Sequence, residues 1–427
     1  MCLVIPKTVL SIPADPFRGD LQFTTQAGAS PAAGKLQTVP TDPSLTNDHR
    51  LSRRVLAMDA SGIRRAFELG GSLERPINLS IGQPDFPVPT VMKDAAVDAI
   101  RADRNGYTVT QGIAPLHDSI RRHLAHDLGW NDADAFSTVV TSGTSGGLLL
   151  ASLALLEEGD EAIMPDPWFV LYPQLGHLTG ATMVACDTYP DFRMTAARVE
   201  PLITDRTKFV LVNSPGNPSG VVLNEDEVRD LADLCRDRGV QLITDEIYDE
   251  FVFADAARPD GTCPSPARFD HDALVIRGFG KTYGCTGWRL GYAAGPKWLI
   301  EQMQKLQQFT FVCAPSPLQW AAIEAFEIDN TAQVETYARR RDMVLDALSP
   351  YANVVRPGGA FYAFLEIPAA LGMTGTEFME RAVDRRVLLV PGGVFSARDT
   401  HVRLSFAVPE PTLQEGLDVL VDLLQGG

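Results

Sequence analysis

The sequence predicts an α/β fold: a large domain with a mostly parallel sheet flanked by helices, plus a smaller α+β domain. Three observations carry that expectation. From Ser137 to Ile276, short β-branched runs alternate with helical patterns. Several of the runs, among them Phe209–Asn213 and Ala273–Ile276, are almost wholly apolar, as strands covered on both faces are. After about residue 316 the pattern changes to long helices followed by two separate strands, Phe361–Leu365 and His401–Ala407.

Composition fits that class. A chain of 427 residues with 45% hydrophobic residues suits two or three domains with a sizeable core. Its 37 basic and 54 acidic residues give a net charge of −17, which argues against nucleic acid or an anionic membrane as partner. The six cysteines are scattered, with no CxxC and no His-spaced cluster, so neither a disulfide framework nor a metal is expected. No apolar stretch has the length of a membrane span, and Met1–Lys7 lacks the pattern of a secretory signal. A cytoplasmic location is the expectation.

In chain order, residues 1–48 are rich in Pro, Ala, Gly, Ser and Thr and read as an irregular extension. Arg53–Leu69 reads as a helix interrupted near Ser61-Gly62. A short strand from Ile77 ends in the turn Gly82-Gln-Pro-Asp85, and helices follow over about Thr90–Ala102 and Ala114–Leu128. Between them Asn105-Gly106 marks a tight turn that exposes Tyr107. Strands are expected at 137–141, 161–164, 182–185, 209–213, 241–244 and 273–276, with a helix over 148–156. One long helix is expected to run from about Ser316 through Leu348.

The chemistry gathers where these strands end. Lys281 and Arg289 sit in Arg277-Gly-Phe-Gly-Lys-Thr-Tyr-Gly-Cys-Thr-Gly-Trp-Arg289, a glycine-crowded loop after an apolar strand. A lysine there, beside a cation able to grip phosphate through two hydrogen bonds, suggests a Schiff-base lysine. Ser142-Gly-Thr-Ser-Gly146 lies between a strand and a helix, which aims backbone N–H groups at an anion, although plain N-capping suits it too. Asn213-Ser-Pro-Gly-Asn-Pro-Ser-Gly220 fixes an unusual turn that presents Asn217. Asp245 ends a buried strand, with Tyr248 three residues on; a carboxylate there can hold a protonated ring nitrogen, or cap a helix. In His401–Ala407, Val402, Leu404 and Phe406 alternate with His401, Arg403 and Ser405, so Arg403 can reach a ligand carboxylate from a strand whose other face is core.

Taken together, Lys-x7-Arg, Asn-Pro-Ser-Gly, Asp-x-x-Tyr and the late arginine resemble the fold-type I pyridoxal-phosphate enzymes, in particular the class I/II, aspartate aminotransferase-like aminotransferases. The resemblance runs from about Ala57 to the C-terminus. It implies a large cofactor-binding domain over 88–321 and a small domain from 49–87 and 322–427. It implies transfer of an amino group from an L-amino acid to a 2-oxo acid, with an aspartate- or glutamate-type donor as the family-level expectation. Lys281 would carry pyridoxal 5'-phosphate and shuttle the proton, Asp245 would pair with the ring nitrogen, and Tyr248 and Asn217 would bond the ring oxygen. Phe169, with Trp168 as near rival, would stack on the ring. Gly143, Thr144, Ser145 and Arg289 would hold the phosphate. Arg403, helped by Asn217 and the Gly82 backbone, would clamp the substrate carboxylate. Tyr107 matches a tyrosine that reaches the neighbouring subunit's phosphate, which implies a homodimer with shared sites. Gln307, Gln308 and Phe309 are candidates for the distal pocket.

Gly278 and Gly280 depart from the pattern, since many relatives carry serine there; Thr282 or the 142–145 loop is the expected substitute. A PLP-dependent lyase or oxidase-like reaction is the alternative on the same scaffold. A PLP-binding regulator is disfavoured, because residues 1–50 are too short and irregular for a helix-turn-helix.

Overall fold

A computed structural model of the chain describes residues 50–58, 73–132 and 134–427. The extension expected over 1–48 lies outside the described residues. So does most of the helix expected over Arg53–Leu69, of which Arg53–Leu56 is seen.

The strands, in chain order, are β1 (Ile77–Asn78), β2 (Ser137–Thr141), β3 (Glu161–Asp166), β4 (Thr182–Asp187), β5 (Thr207–Asn213), β6 (Gln241–Asp245) and β7 (Leu274–Gly278). They continue with β8 (Gly291–Gly295), β9 (Tyr362–Glu366), β10 (Val387–Leu388), β11 (Val390–Pro391) and β12 (His401–Ser405). Seven of them form one sheet in the order β2-β8-β7-β6-β5-β3-β4. The pairs from β7 to β4 are parallel. β8 is antiparallel to both its neighbours. Sequence patterning misses β8, because Gly291-Tyr-Ala-Ala-Gly295 has no β-branched residue to mark a strand. Tertiary contact selects it instead. A Cβ on Gly291 would lie 2.8 Å from the Arg277 carbonyl oxygen and 2.9 Å from the Gly143 carbonyl carbon, so only glycine lets the three backbones meet.

Parallel pairing brings the C-terminal ends of the central strands to one edge. Asn213 is in register with Asp245, and Asp245 with Ile276. The turn after β2 and the segment after β3 emerge at the same edge, which is where ligands sit in open parallel sheets. The strand interiors are dry: Val210, Leu211, Leu274, Val275 and Ile276 are fully buried, and helices such as Gly143–Leu155 and Glu225–Arg238 cover the two faces. Helix Gly143–Leu155 begins five residues before the expected Leu148, at the glycines that sequence patterning leaves in a turn.

A second, antiparallel sheet has the order β11-β12-β9, which puts Arg403 of β12 between Val390 and Phe364. The expected alternation holds in direction, yet both faces are covered: His401, Arg403 and Ser405 are as buried as Val402 and Leu404. Helix Glu410–Leu424 packs against helix Thr331–Leu348 and β1 over an apolar core that includes Leu413, Leu417 and Leu420. The single helix expected over 316–348 is three pieces: Ser316–Ala321, a 3-10 turn at Glu324–Glu327, and Thr331–Leu348. Asp329 ends the run by taking hydrogen bonds on its carboxylate from the Thr331 N–H (2.9 Å) and hydroxyl, local bonds that compete with helix.

Gly291→Ala should lower stability by about 1–3 kcal/mol through overpacking, measured by urea unfolding, and should loosen the anion loop at Gly143 that it abuts.

Candidate active site

The two sheets face a cavity of about 400 Å³ at the C-terminal edge of the large sheet. Gly82, Gly143, Thr144, Ser145, Phe169 and Asn217 all line it, as do Asp245, Tyr248, Lys281, Arg289 and Arg403. Tyr107, expected to reach a neighbouring subunit, does not; its side chain is 88% exposed on the loop after Asn105-Gly106. Phe169 rather than Trp168 faces the cavity.

The anion end is built from backbone. Ser142 makes no capping bond, so the N–H groups at the start of helix Gly143–Leu155 keep their hydrogens for another acceptor. Gly143 has φ 68°, and a Cβ on it would lie 2.9 Å from Arg289 Nη2. Arg289 itself is held in the left-handed region (φ 51°), with Nη1 donating to the Thr286 carbonyl at 3.1 Å.

At the other end stands Arg403, 1% exposed. Its Nη1 donates to Asn217 Oδ1 (3.0 Å) and Nη2 to the Ser80 carbonyl (2.9 Å). Its Nε is buried with no acceptor, and its guanidinium lies over the Tyr362 and Phe395 rings, 4.5 and 4.9 Å from their centroids. Burial lowers its pKa, since no carboxylate answers the charge. Arg403 is thus a buried cation, not an arginine on a solvent-facing strand.

Between these ends, Lys281 Nζ donates to the Gly82 carbonyl. Removal from water, reinforced by Arg403 and Arg289, brings its pKa down from 10.5 to about 8. Asp245 is 3% exposed; Oδ2 accepts from the Tyr172 hydroxyl at 2.8 Å and Oδ1 from the Ile247 N–H at 3.4 Å. Burial raises it to about 6, against the hydrogen bond from Tyr172. No helix follows Asp245, so the capping role that its position also allowed is not the one realised. The Tyr248 hydroxyl lies 3.1 Å from that of Tyr362. Asn213 ties the floor together: its Nδ2 donates to the Asp245 carbonyl and its Oδ1 accepts from the Asn217 N–H, both at 2.9 Å.

Sequence reasoning passed over Tyr172, Tyr362 and Thr286, all of which line the cavity. Tyr172 sits in the first turn of helix Leu171–Thr179, close in sequence to Phe169, and Tyr362 carried no sign beyond its strand. Two expectations need correction. Thr282 is buried away from the cavity, and Thr286 is the threonine that lines it. Gln307 is also buried elsewhere, donating to the Thr110 (2.6 Å) and Val140 (2.9 Å) carbonyls, while Phe309 is 80% exposed and Gln308 is exposed too, so none of the three lines this cavity within the chain.

Space beside Gly278 and Gly280 is tight. A Cβ at 278 would lie 2.9 Å from Ile247 Cδ1 and 3.1 Å from Thr144 Cγ2, and one at 280 would lie 3.3 Å from Thr286 Cα.

Comparison with known proteins gives the family. The model of the aminotransferase class I and II family matches residues 74–420. A Bacillus subtilis protein named "Probable N-acetyl-LL-diaminopimelate aminotransferase" is 37% identical over 381 residues, 87% of this chain and 95% of its own. Aromatic-amino-acid aminotransferase 2 of Thermococcus litoralis is 30% identical over 385 residues, 88% of this chain and 98% of its own. The structure of Thermus thermophilus aspartate aminotransferase with maleate superposes with a TM-score of 0.81 at 32% identity, covering 87% of this chain and 99% of that one. The chain belongs to the class I and II aminotransferases, enzymes that move amino groups between amino acids and 2-oxo acids with pyridoxal 5'-phosphate.

The cavity fits that cofactor. Lys281, Arg289 and Arg403 are its cations, none of them has a carboxylate partner among the described residues, and Asp245 is the anion set among them. A phosphate and a substrate carboxylate answer the first imbalance, and a protonated ring nitrogen answers Asp245.

Asp245 also sets a pH dependence. Its folded pKa, about 6, lies above the ordinary 3.8, so the folded state holds a proton that the unfolded state has released. In cofactor-free protein this stabilisation is fully present below pH 3.8 and is lost as pH rises to about 6. The loss amounts to about 3 kcal/mol. Asp245→Asn should abolish that slope in urea titrations between pH 4 and 6.5 and leave the remaining pH dependence in place.

Proposed function

We propose that Lys281 is the residue that bonds to the cofactor and carries the proton during transfer, in an enzyme that converts an L-amino acid and a 2-oxo acid. Pyridoxal 5'-phosphate, when bound, supplies an electron sink that labilises the bonds at the substrate's α-carbon. All else is work for the chain. The helix start at Gly143–Ser145 and Arg289 hold the phosphate. Asp245 holds the ring nitrogen in its protonated form, with Tyr172 fixing which carboxylate oxygen points where. Tyr248 and the amide of Asn217 donate to the ring oxygen, and Phe169 stacks on the ring face. Arg403 grips the substrate α-carboxylate, with Asn217 and the Gly82 backbone beside it. With its pKa near 8, Lys281 has an appreciable neutral fraction near neutral pH, so Nζ can take a proton from the α-carbon side and return it.

The observation that carries this reading is the placement of three cations without carboxylates around one buried aspartate in a chain of net charge −17. We further propose the division into a large domain over 88–321 and a small domain from 49–87 and 322–427. A homodimer completes the reading: Tyr107 is exposed, and Gln307 and Gln319 tether its loop by bonds to Thr110 and Thr108. Its exposure supports the reading in which Tyr107 reaches a partner's site. Relatives named for aspartate make a dicarboxylic donor the first to test, and the relative named for aromatic amino acids makes phenylalanine or tyrosine the second. Location in the cytoplasm remains part of the proposal. Among the described residues no helix is long and apolar enough to cross a membrane.

Purified protein loaded with cofactor should lose its lysine-linked absorbance on adding the right amino acid alone, with one equivalent of 2-oxo acid released and no ammonia. Catalytic ammonia release would instead assign a lyase or oxidase. Lys281→Ala should lower the rate by ~10³-fold or more. Arg403→Ala should cost ~100-fold in kcat/KM, the worth of a charge-assisted bidentate contact, while cofactor affinity stays nearly constant. Loss of cofactor with intact substrate affinity would reassign Arg403 to the phosphate.

A further inference from the structure

We infer that Arg277 is a positioning residue for the transfer reaction, holding Asp245 and Tyr248 in alignment with Lys281 through Glu246 and Asp249. The inference rests on the roles proposed above for those three residues.

Arg277 lies in β7, four residues before Lys281, and is 1% exposed. Its guanidinium is surrounded by carboxylates from two other segments. Nε donates to Glu246 Oε2 at 2.9 Å, and Nη2 lies 2.7 Å from the same oxygen. Nε is also 3.1 Å from Asp249 Oδ2, and Nη1 pairs with Asp127 of helix Ala114–Leu128. His123 Nε2 is 3.2 Å from Nη1. The donor atoms of His123, Asp127 and Asp249 fall within 4.8 Å of one another, as a metal set would, but the guanidinium is the cation their site is already built around.

The segment after β6 interleaves two tasks. Asp245 and Tyr248 line the active-site cavity, while Glu246 and Asp249, each one residue further on, turn to Arg277. Any shift of the Glu246 or Asp249 side chain is therefore passed to its immediate neighbour in the cavity. The rest of the segment has little slack to absorb it. Glu246 Oε1 accepts from the Thr244 (2.9 Å) and Ser265 (2.5 Å) hydroxyls, and the Glu246 N–H donates to the Ile276 carbonyl at 2.9 Å. Ile247 packs its Cδ1 over Gly278 on the lysine strand. A planar fork addresses two segments with its donors at fixed angles, which a freely rotating ammonium does not do. Stability alone does not call for such a group, because apolar packing serves a core at least as well as buried ions. Fixed geometry does.

The test uses the cofactor-loaded full chain. Arg277→Lys keeps the charge and loses the fork. Glu246→Asp keeps the charge and draws the carboxylate back from Arg277 by one methylene. Each should lower the single-turnover rate with a saturating amino donor by ~10–100-fold, the cost of a sub-ångström to ångström misplacement. The donor's apparent Kd should stay within about 2-fold of wild type, since Arg403 is untouched. The pH midpoint of the bound cofactor's absorbance should shift in both variants, because it reports how Asp245 and Tyr248 address the ring; a role confined to stability would not move it. If either variant folds, binds cofactor and keeps the wild-type rate and midpoint, whatever its melting temperature, Arg277 is structural only and the inference falls. Wild-type protein that performs no transamination would overturn the proposed function itself, so the two failures are distinct.

Discussion

The parallel pairing of β5, β6 and β7 is the constraint on which the site depends. Parallel strands end at the same edge, and their register sets Asn213 beside Asp245 and Asp245 beside Ile276, two residues before β7 ends and the short helical turn Phe279–Thr282 carries Lys281. No loop has to search for the others. Asn213 then uses both ends of its amide to fasten the Asp245 backbone to the Asn217 turn. The reversed strand β8 closes the other side, because its first glycine lets the Arg277 and Gly143 backbones come together and so brings the anion loop up against the lysine strand.

Electrostatics follows from that arrangement. The chain is strongly acidic, and most of its surface arginines are paired with carboxylates, as in Arg193–Glu227, Arg206–Glu161 and Arg356–Asp255. Cavity cations are treated differently. Arg403 is buried against aromatic rings and main-chain or amide oxygens, and Lys281 is given a carbonyl. Leaving them without carboxylates costs desolvation energy that only an anionic ligand recovers. The same desolvation pulls Lys281 down to about 8 and pushes Asp245 up to about 6, so the pair sits close to neutrality from opposite directions. Behind the site the logic is reversed, with a single arginine set among several buried acids.

Much of this was legible in the residues. Glycines and prolines at strand ends announce unusual backbone, and a lysine, an aspartate and an asparagine at three such ends announce a common edge, because polar groups there need a ligand or a partner. Alternation in His401–Ala407 pointed Arg403 away from Val402 and Leu404 correctly. Other features left no local mark. Tyr362 is an ordinary aromatic in an apolar strand until the Tyr248 hydroxyl stands 3.1 Å away. β8, with two glycines and two alanines among its five residues, carries no strand pattern and is a strand because two neighbours supply the hydrogen bonds. Gln307 belongs to a regular amphipathic helix, and only the fold shows its amide turned inward to hold the Thr110 and Val140 carbonyls.

By itself, then, the sequence determined the class of fold, the chemistry-bearing loops and the order in which they occur, because those depend on local propensity and on residue types that the chemistry cannot replace. Tertiary structure decided which groups meet: Tyr172 with Asp245, Thr286 rather than Thr282 at the cavity, Arg403 without a counter-ion, and Arg277 among its carboxylates. These are contacts between segments far apart in the chain, and no periodicity along a sequence encodes a distance across a core.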